Sequence, residues 1–341
     1  MLALQWTMPV RFSPGYRIAE ISGTRVPHCA SHVCVRGSMT IVSLARISAL
    51  IPTAVSTAIF TLIFAVGIFT AAVPAAGADE ARTAGSEFQD CSRCPVMKVV
   101  PAGEFVQGSP PSSSGHFHSE GVIRTVTIAK PFAAGKYEIS FDEWDACIAA
   151  GRCDAVDDAD WGRGRYPVIN VSWEQAVIYA GWLSEVTGKQ YRLLSESEWE
   201  YAARAGLPRF RFFGLSPERL CHVANVYDLR SKAEYDFDWE HAPCDDGFAG
   251  LAPVGSLAPN AFGLYDMQGN VAEWTQDCRN RSWRFANLDG SPWLNGDCLQ
   301  RAYRGGSWLA NGPRYLRTPD RYRYLRARSN DLGFRVGLSL H

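Results

Sequence analysis

Three short segments in the second half of the chain constrain its fold more than any other feature. They are Gly263-Leu264-Tyr265-Asp266-Met267-Gln268-Gly269-Asn270-Val271-Ala272-Glu273-Trp274, Arg304-Gly305-Gly306-Ser307-Trp308 and Asn330-Asp331-Leu332-Gly333-Phe334-Arg335. Glycines, polar turn residues and tryptophans alternate there too densely for a simple helix or a regular sheet. Glycine admits backbone conformations closed to other residues, and tryptophan brings a large packing surface with one polar handle. Of the eleven tryptophans, most adjoin Gly, Ser, Asn or Asp, which suits a loop-rich body whose large aromatics anchor irregular backbone.

The chain has 341 residues, 47% hydrophobic and 20% charged, enough to bury a sizeable core. A net charge of -1 gives no global attraction to nucleic acid or anionic membrane. After Arg46 no charged residue occurs until Asp79, and the intervening stretch is strongly apolar around residues 58–66 before ending in Ala76-Gly77-Ala78. A basic start, an apolar middle and a small-x-small end describe a secretory signal peptide over 39–78. Met39 is then the expected initiator, and 1–38 a non-native upstream start. The apolar run exceeds a usual signal core, so the alternative is an uncleaved anchor, the one route by which a membrane would become a partner. Either reading places the protein in the periplasm or outside the cell.

Eight cysteines follow the signal: Cys91, Cys94, Cys147, Cys153, Cys221, Cys244, Cys278 and Cys298. An even count in an exported chain reads as a disulfide framework. Spacing alone leaves 105 pairings open for eight cysteines, although each has a near neighbour in sequence. Cys91-Ser92-Arg93-Cys94 also has the spacing of a redox dithiol or half a zinc site, but no thioredoxin-like strand and helix surround it and no second such pair follows. A structural bridge is expected there.

Residues 79–95 read as a flexible lead-in, and a single domain is expected over 96–340. Met97–Val100 and Glu104–Gln107 have strand character, and Ile123–Ile128 alternates with period two. Ser140 with Glu143, Ser172 with Gln175 and Ser195 with Glu198 are capping-box pairs that each open a helix. Gly151, Gly188 and Gly206 stand where left-handed caps would end them. The middle helix should bury Ala176, Ala180 and Leu183, with Val177 and Val186 beside them, and the first helix Trp144, Cys147 and Ile148. From Phe210 onward periodicity fades and turn signals recur, so disulfides and bound cations are the expected supports.

Read without any relative, Asp266 and Glu273, and Asn225 and Asp246, are acids and amides capping turns or oxygen ligands of calcium, which takes six to eight oxygens. His116-Phe117-His118 has no third ligand and reads as an exposed loop pair. Arg314, Arg317, Arg321, Arg323, Arg326 and Arg328, interleaved with Tyr315, Tyr322 and Tyr324, form the densest basic stretch. Two readings stay open for it: internal pairing with acids, or a pocket wall that receives an anionic or peptide-like group. A nucleic-acid partner is not expected of an exported, near-neutral chain.

The order of these motifs, from about Val96 to Val336, resembles the formylglycine-generating enzyme family, also called sulfatase-modifying factors. The resemblance implies an α+β, C-type-lectin-like fold with few long elements. It implies two structural calcium sites, one at Asn225, Val226, Asp246 and Phe248, with Val226 and Phe248 giving main-chain oxygens, the other at Asp266, Gly269, Val271 and Glu273, with Gly269 and Val271 giving main-chain oxygens. Copper-dependent members carry a cysteine pair after the Arg-Gly-Gly-Ser segment, where this chain has Ala310 and Tyr315. Copper(I) needs soft thiolates; alanine offers no donor and a phenol is hard, so copper is not expected. Ser307 matches a groove serine, whereas Asn311 stands at a histidine position and Ala272 at a tryptophan position. The expected groove is therefore Ser307, Asn311, Arg314 and Tyr315, holding a peptide-like or small substrate. Two functions are implied. The first is a copper-independent oxidoreductase or modifying enzyme, like cysteine-less relatives in periplasmic siderophore maturation. The second is a non-catalytic binding module. Sulfatase activation stands third.

Overall fold

A computed structural model describes residues 82–110, 123–207, 217–280, 283–310 and 328–340, with the backbone of Tyr324–Leu325. The first half runs β1 (Glu87–Phe88), β2 (Met97–Val100), β3 (Gly103–Gln107), β4 (Arg124–Ile128), β5 (Phe132–Gly135), α1 (Phe141–Ala149), α2 (Trp173–Thr187), β6 (Tyr191–Leu193) and α3 (Glu196–Arg204). The second adds α4 (Leu229–Tyr235), β7 (Ala272–Arg279), β8 (Asp297–Arg304), β9 (Tyr324–Leu325), β10 (Leu332–Gly333) and β11 (Val336–Ser339). Mixed helices and small sheets give the α+β class expected of the sequence.

Three sheets organise these elements: β1-β2-β5-β11-β6, β10-β7-β8-β9, and the hairpin β3-β4. In the first, the C-terminal β11 is inserted between β5 and β6, pairing Gly337 with Ala134 on one side and Arg192 on the other. β11 thereby joins β5 and β6 into one sheet. In the second, β10 pairs parallel with the start of β7, Leu332 opposite Ala272 and Gly333 opposite Glu273. This brings two of the three Gly-rich segments side by side.

All three capping boxes form as the sequence indicated, with Ser140, Ser172 and Ser195 accepting from the backbone N–H three residues on. Gly188 is the left-handed cap of α2. Gly151, with φ of 70°, is the left-handed residue that follows Ala150 at the end of α1, and after α3 both Ala205 and Gly206 are left-handed, with φ of 47° and 78°. The buried face of α2 also differs from expectation. Val177 and Val186 are 40% and 53% exposed, and Tyr179 and Trp182 take the core side instead. Tyr179 stacks on Trp144 at 5.6 Å and meets Phe334 edge-on at 5.5 Å, so aromatic interlock flanks the buried stripe of Ala176, Ala180 and Leu183.

The second half holds more regular structure than its fading periodicity suggested. β7 and β8 are eight residues each and form an antiparallel pair with register shifts at Trp274/Cys278 and Cys278/Arg279. Those shifts are why alternation is hard to read there: a bulge resets which face each residue takes. The four bridges join sequence neighbours, Cys91–Cys94, Cys147–Cys153, Cys221–Cys244 and Cys278–Cys298. Among the described residues no helix is long and apolar enough to cross a membrane.

Candidate functional site

The Arg-Gly-Gly-Ser-Trp segment leaves β8 as a turn held from both sides. Arg304 is fully buried, donating from Nη2 to Glu200 Oε2 at 2.8 Å and lying near the Trp199 and Trp283 rings at 5.4 and 5.5 Å. Glu200 Oε1 also accepts from Arg204 and from the Gly108 N–H. This arginine is thus a structural anchor. Gly305 and Gly306 take φ of 102° and 72°, and the Trp308 N–H then donates to Asn270 O at 2.8 Å.

That turn presents Ser307. Its Oγ donates to Asp331 Oδ2 at 2.9 Å and accepts from the Leu309 N–H. The other carboxylate oxygen of Asp331 accepts from Ser329, and the Asp331 carbonyl accepts from the Ala272 N–H at 2.8 Å. Sequence reasoning picked Ser307 and missed Asp331, although Asp331 stands inside the Asn330–Arg335 motif. Its contribution depends on the parallel β10–β7 pairing, which no local pattern announces.

Ala310 is 8% exposed and packs with Leu220, Cys221, Ala224 and Val226. Where a donor atom would stand, a methyl group fills an apolar cluster braced by the Cys221–Cys244 bridge. Asn311, Arg314 and Tyr315 lie outside the described residues, as do His116 and His118 and, apart from Arg328, the arginines of the basic stretch.

The residues of the first expected calcium site converge. Asp246 Oδ2 accepts from the Val226 N–H at 2.9 Å and Oδ1 from the Phe248 N–H at 2.8 Å. Burial raises its pKa to about 7, although both of those N–H groups pull the other way. Asn225 Nδ2 donates to Gly250 O and to Asn270 Oδ1, which fixes the amide's orientation, and Asn225 Oδ1 is left buried with no hydrogen-bond partner. An orphaned buried carbonyl beside a buried carboxylate is what an oxygen-seeking cation satisfies. This donor set fits calcium. Cys221 and Asp228 lie close to Asp246 as well, but the Cys221 sulfur is committed to its disulfide.

At the second set the match is less direct. Glu273 is fully buried and accepts from Arg335 Nη2 at 2.6 Å and Nε at 2.7 Å, and from Trp199 Nε1 at 2.8 Å. A guanidinium already neutralises this carboxylate. Asp266 accepts from the Gly255 N–H, and burial pushes it up to about 6. Glu138, 1% exposed, lies in the same field; burial and then the negative charges of Asp266 and Glu273 hold its carboxyl well above the usual range. Three carboxyl groups therefore face the buried Arg335 guanidinium, with Arg165 also acting on Asp266, and the remaining negative excess calls for protons or a cation.

The two sets are joined. Gly269 has φ of 79°, and a Cβ there would lie 2.1 Å from Asn225 O, so only glycine fits. The next residue, Asn270, donates its N–H to that same Asn225 carbonyl at 2.8 Å and its side-chain amide to Glu138 at 2.7 Å.

Residues 83–339 match the family model described as a sulfatase-modifying factor enzyme 1-like domain. The chain belongs to this family. The formylglycine-generating enzyme of Thermomonospora curvata is 31% identical over 266 residues, covering 63% of this chain and 83% of that protein. The bovine (Bos taurus) inactive C-alpha-formylglycine-generating enzyme 2 is 34% identical over 185 residues, half of this chain and 49% of its own length. Among solved structures, that of PvdO from Pseudomonas aeruginosa superposes with a TM-score of 0.65 at 36% identity, covering 76% of this chain and all of PvdO. The sulfatase-modifying factor family thus accounts for the fold and for the order of Gly-rich motifs.

Proposed function

We propose that this protein is an exported modifying enzyme of the sulfatase-modifying factor family that acts on a peptide-like or small substrate without a copper–thiolate centre. One observation carries the reading: the Ser307 hydroxyl is held by Asp331 at 2.9 Å, while the neighbouring position 310 is a buried methyl group. A polar group kept in a fixed orientation beside a site stripped of soft ligands suits substrate positioning or proton handling better than metal chemistry. Calcium at Asn225, Val226, Asp246 and Phe248 is the structural cofactor proposed with it. The second set, at Asp266, Gly269, Val271 and Glu273, would hold calcium only by sharing Glu273 with Arg335. Four disulfides in a chain with an apolar leader support export.

The test is comparative mass spectrometry of an envelope extract from the native source, incubated in air with calcium-loaded wild-type protein or with Ser307→Ala. The expected result is a compound altered by the wild type and left unaltered by the variant. The same alteration by both proteins would remove Ser307 from the chemistry. No alteration by either would favour a non-catalytic binding module, a reading to which the similarity to a relative named inactive also lends weight.

A further inference from the structure

Beside the Ser307 turn runs an aromatic array that the groove reading leaves unused. The Trp308 ring, 4% exposed, meets Trp161 edge-on at 5.4 Å and Tyr235 at 5.6 Å. Tyr235 stacks on Phe237 at 5.6 Å with 14° between planes, and Phe237 meets Trp239 at 4.6 Å. Tyr227 backs the outer end, 5.7 Å from Phe237 and 5.5 Å from Trp239. Exposure rises along the array until Trp239 stands 43% in solvent. Core aromatics do not need this outward gradient. It gives a surface strip whose inner ring, Trp308, is the chain neighbour of Ser307.

The backbone that carries the outer rings alternates them with acids, Tyr235-Asp236-Phe237-Asp238-Trp239. Between Asp228 and Asp246 the acids Glu234, Asp236, Asp238 and Asp245, all exposed, stand against one arginine and one lysine. Arg230 is paired with Asp245, and Lys232 with Asp236. The strip therefore keeps a negative excess after its own cations are matched. An aromatic face attracts a cation through its quadrupole, and neighbouring carboxylates add a longer-range attraction. An anionic ligand would be repelled here, and a neutral sugar would use the rings but not the charge.

We propose that the strip Tyr235–Trp239 is a recognition subsite for an ammonium or guanidinium group, so that the groove beside Ser307 prefers cationic, peptide-like substrates. This rests on the reading of the Ser307 turn as a substrate site. Asp238 and Trp239 meet the cation, and Trp308 links the strip to the turn.

Isothermal titration of the full, calcium-loaded protein tests it with three capped tetrapeptides: Ala-Lys-Lys-Ala, its doubly acetylated form, and Ala-Glu-Glu-Ala. The lysine peptide should bind roughly five- to tenfold tighter than the acetylated one in low salt, and the margin should shrink as salt rises. Trp239→Ala and Asp238→Asn, both at exposed positions, should each remove most of the margin. Equal binding of the lysine and acetylated peptides overturns the proposal, as does a margin that neither variant reduces. Ser307→Ala separates the two readings. A charge preference that persists in a wild type unable to alter any extract compound would sink the enzyme reading and leave the subsite standing. Ser307-dependent alteration with no charge preference would do the reverse.

Discussion

Arg335 closes a two-point clasp on Glu273, Nη2 to Oε1 at 2.6 Å and Nε to Oε2 at 2.7 Å, with both side chains essentially removed from water. It ties the end of the Gly-Phe-Arg segment to the start of β7, and so fastens the C-terminal motif to the central one. A buried pair of this kind adds little net stability over an apolar substitute, yet breaking it strands a charge and costs about 3–5 kcal/mol. Arg335→Leu should therefore lower unfolding free energy by about that amount, read from urea titration. Arg335→Met with Glu273→Gln should recover much of the loss, because Glu273 is then no longer a stranded charge. An additive double variant would show that the clasp is not the coupling element.

The same clasp bears on calcium. If Glu273 served chiefly as a metal ligand, Glu273→Ala would cost stability only while calcium is present. Because it leaves Arg335 unpaired, the variant should be destabilised equally with calcium and with chelator. Melting curves under both conditions decide between these outcomes, and a calcium-dependent loss would restore Glu273 as a ligand.

Asp246 gives a pH signature. Its native pKa, about 7, lies above the ordinary 3.8, so the metal-free native state retains a proton that the unfolded chain has already lost. Stability of the calcium-free protein should thus fall as pH rises from about 4 to about 7, since the folded state binds more protons across that window. Calcium needs the ionised carboxylate, so its stabilising effect should grow over the same range. Asp246→Asn should reduce the slope, leaving the share that the likewise raised Asp266 and Glu138 contribute, and should remove the response of the first site to calcium. Thermal melts at pH 5.5 and 7.5, with calcium and with chelator, provide the measurement; identical slopes in wild type and variant would sink the site.

Local signals were legible in the sequence and long-range ones were not. Ser140, Ser172 and Ser195 announced their helices because a capping box lies within four residues. The disulfide partners are likewise near neighbours in sequence. By contrast, Glu138 reaches the Asn270 turn across 132 positions, and Asp331 reaches Ser307 because β10 lies parallel to β7. No periodicity encodes such meetings. The β7–β8 pair escaped notice because its register shifts break alternation, and α4 because seven residues give too few turns for a helical stripe.

Gly269 should tolerate no side chain. Its φ of 79° and the 2.1 Å approach of Asn225 O to a notional Cβ combine backbone strain with a clash against main chain. Gly269→Ala should cost about 2–5 kcal/mol and weaken calcium binding, because Asn225 would be displaced. Calcium titration of the folded fraction measures the second effect. Loss of stability with unchanged calcium affinity would separate the turn from the cation site.

The last prediction concerns position 310. Ala310 sits in an apolar cluster with Leu220, Cys221, Ala224 and Val226, braced by the Cys221–Cys244 bridge. Supplied with copper and a sulfatase-type cysteine peptide, the wild-type protein should form no aldehyde detectable by hydrazine labelling, because a methyl group offers no electron pair to a soft metal. Ala310→Cys with Tyr315→Cys should bind copper(I) more tightly than the wild type yet give little or no aldehyde. Asn311 and Ala272 still stand where the family's copper-dependent members have histidine and tryptophan, and the new sulfur would project into packed side chains. Removing the bridge with Cys221→Ala and Cys244→Ala should cost about 2–4 kcal/mol and loosen that packing, which gives an independent handle on whether the cluster limits metal access. Aldehyde formed by the unmodified protein with copper would overturn the copper-independent reading and return the chain to sulfatase activation, through ligands other than residue 310.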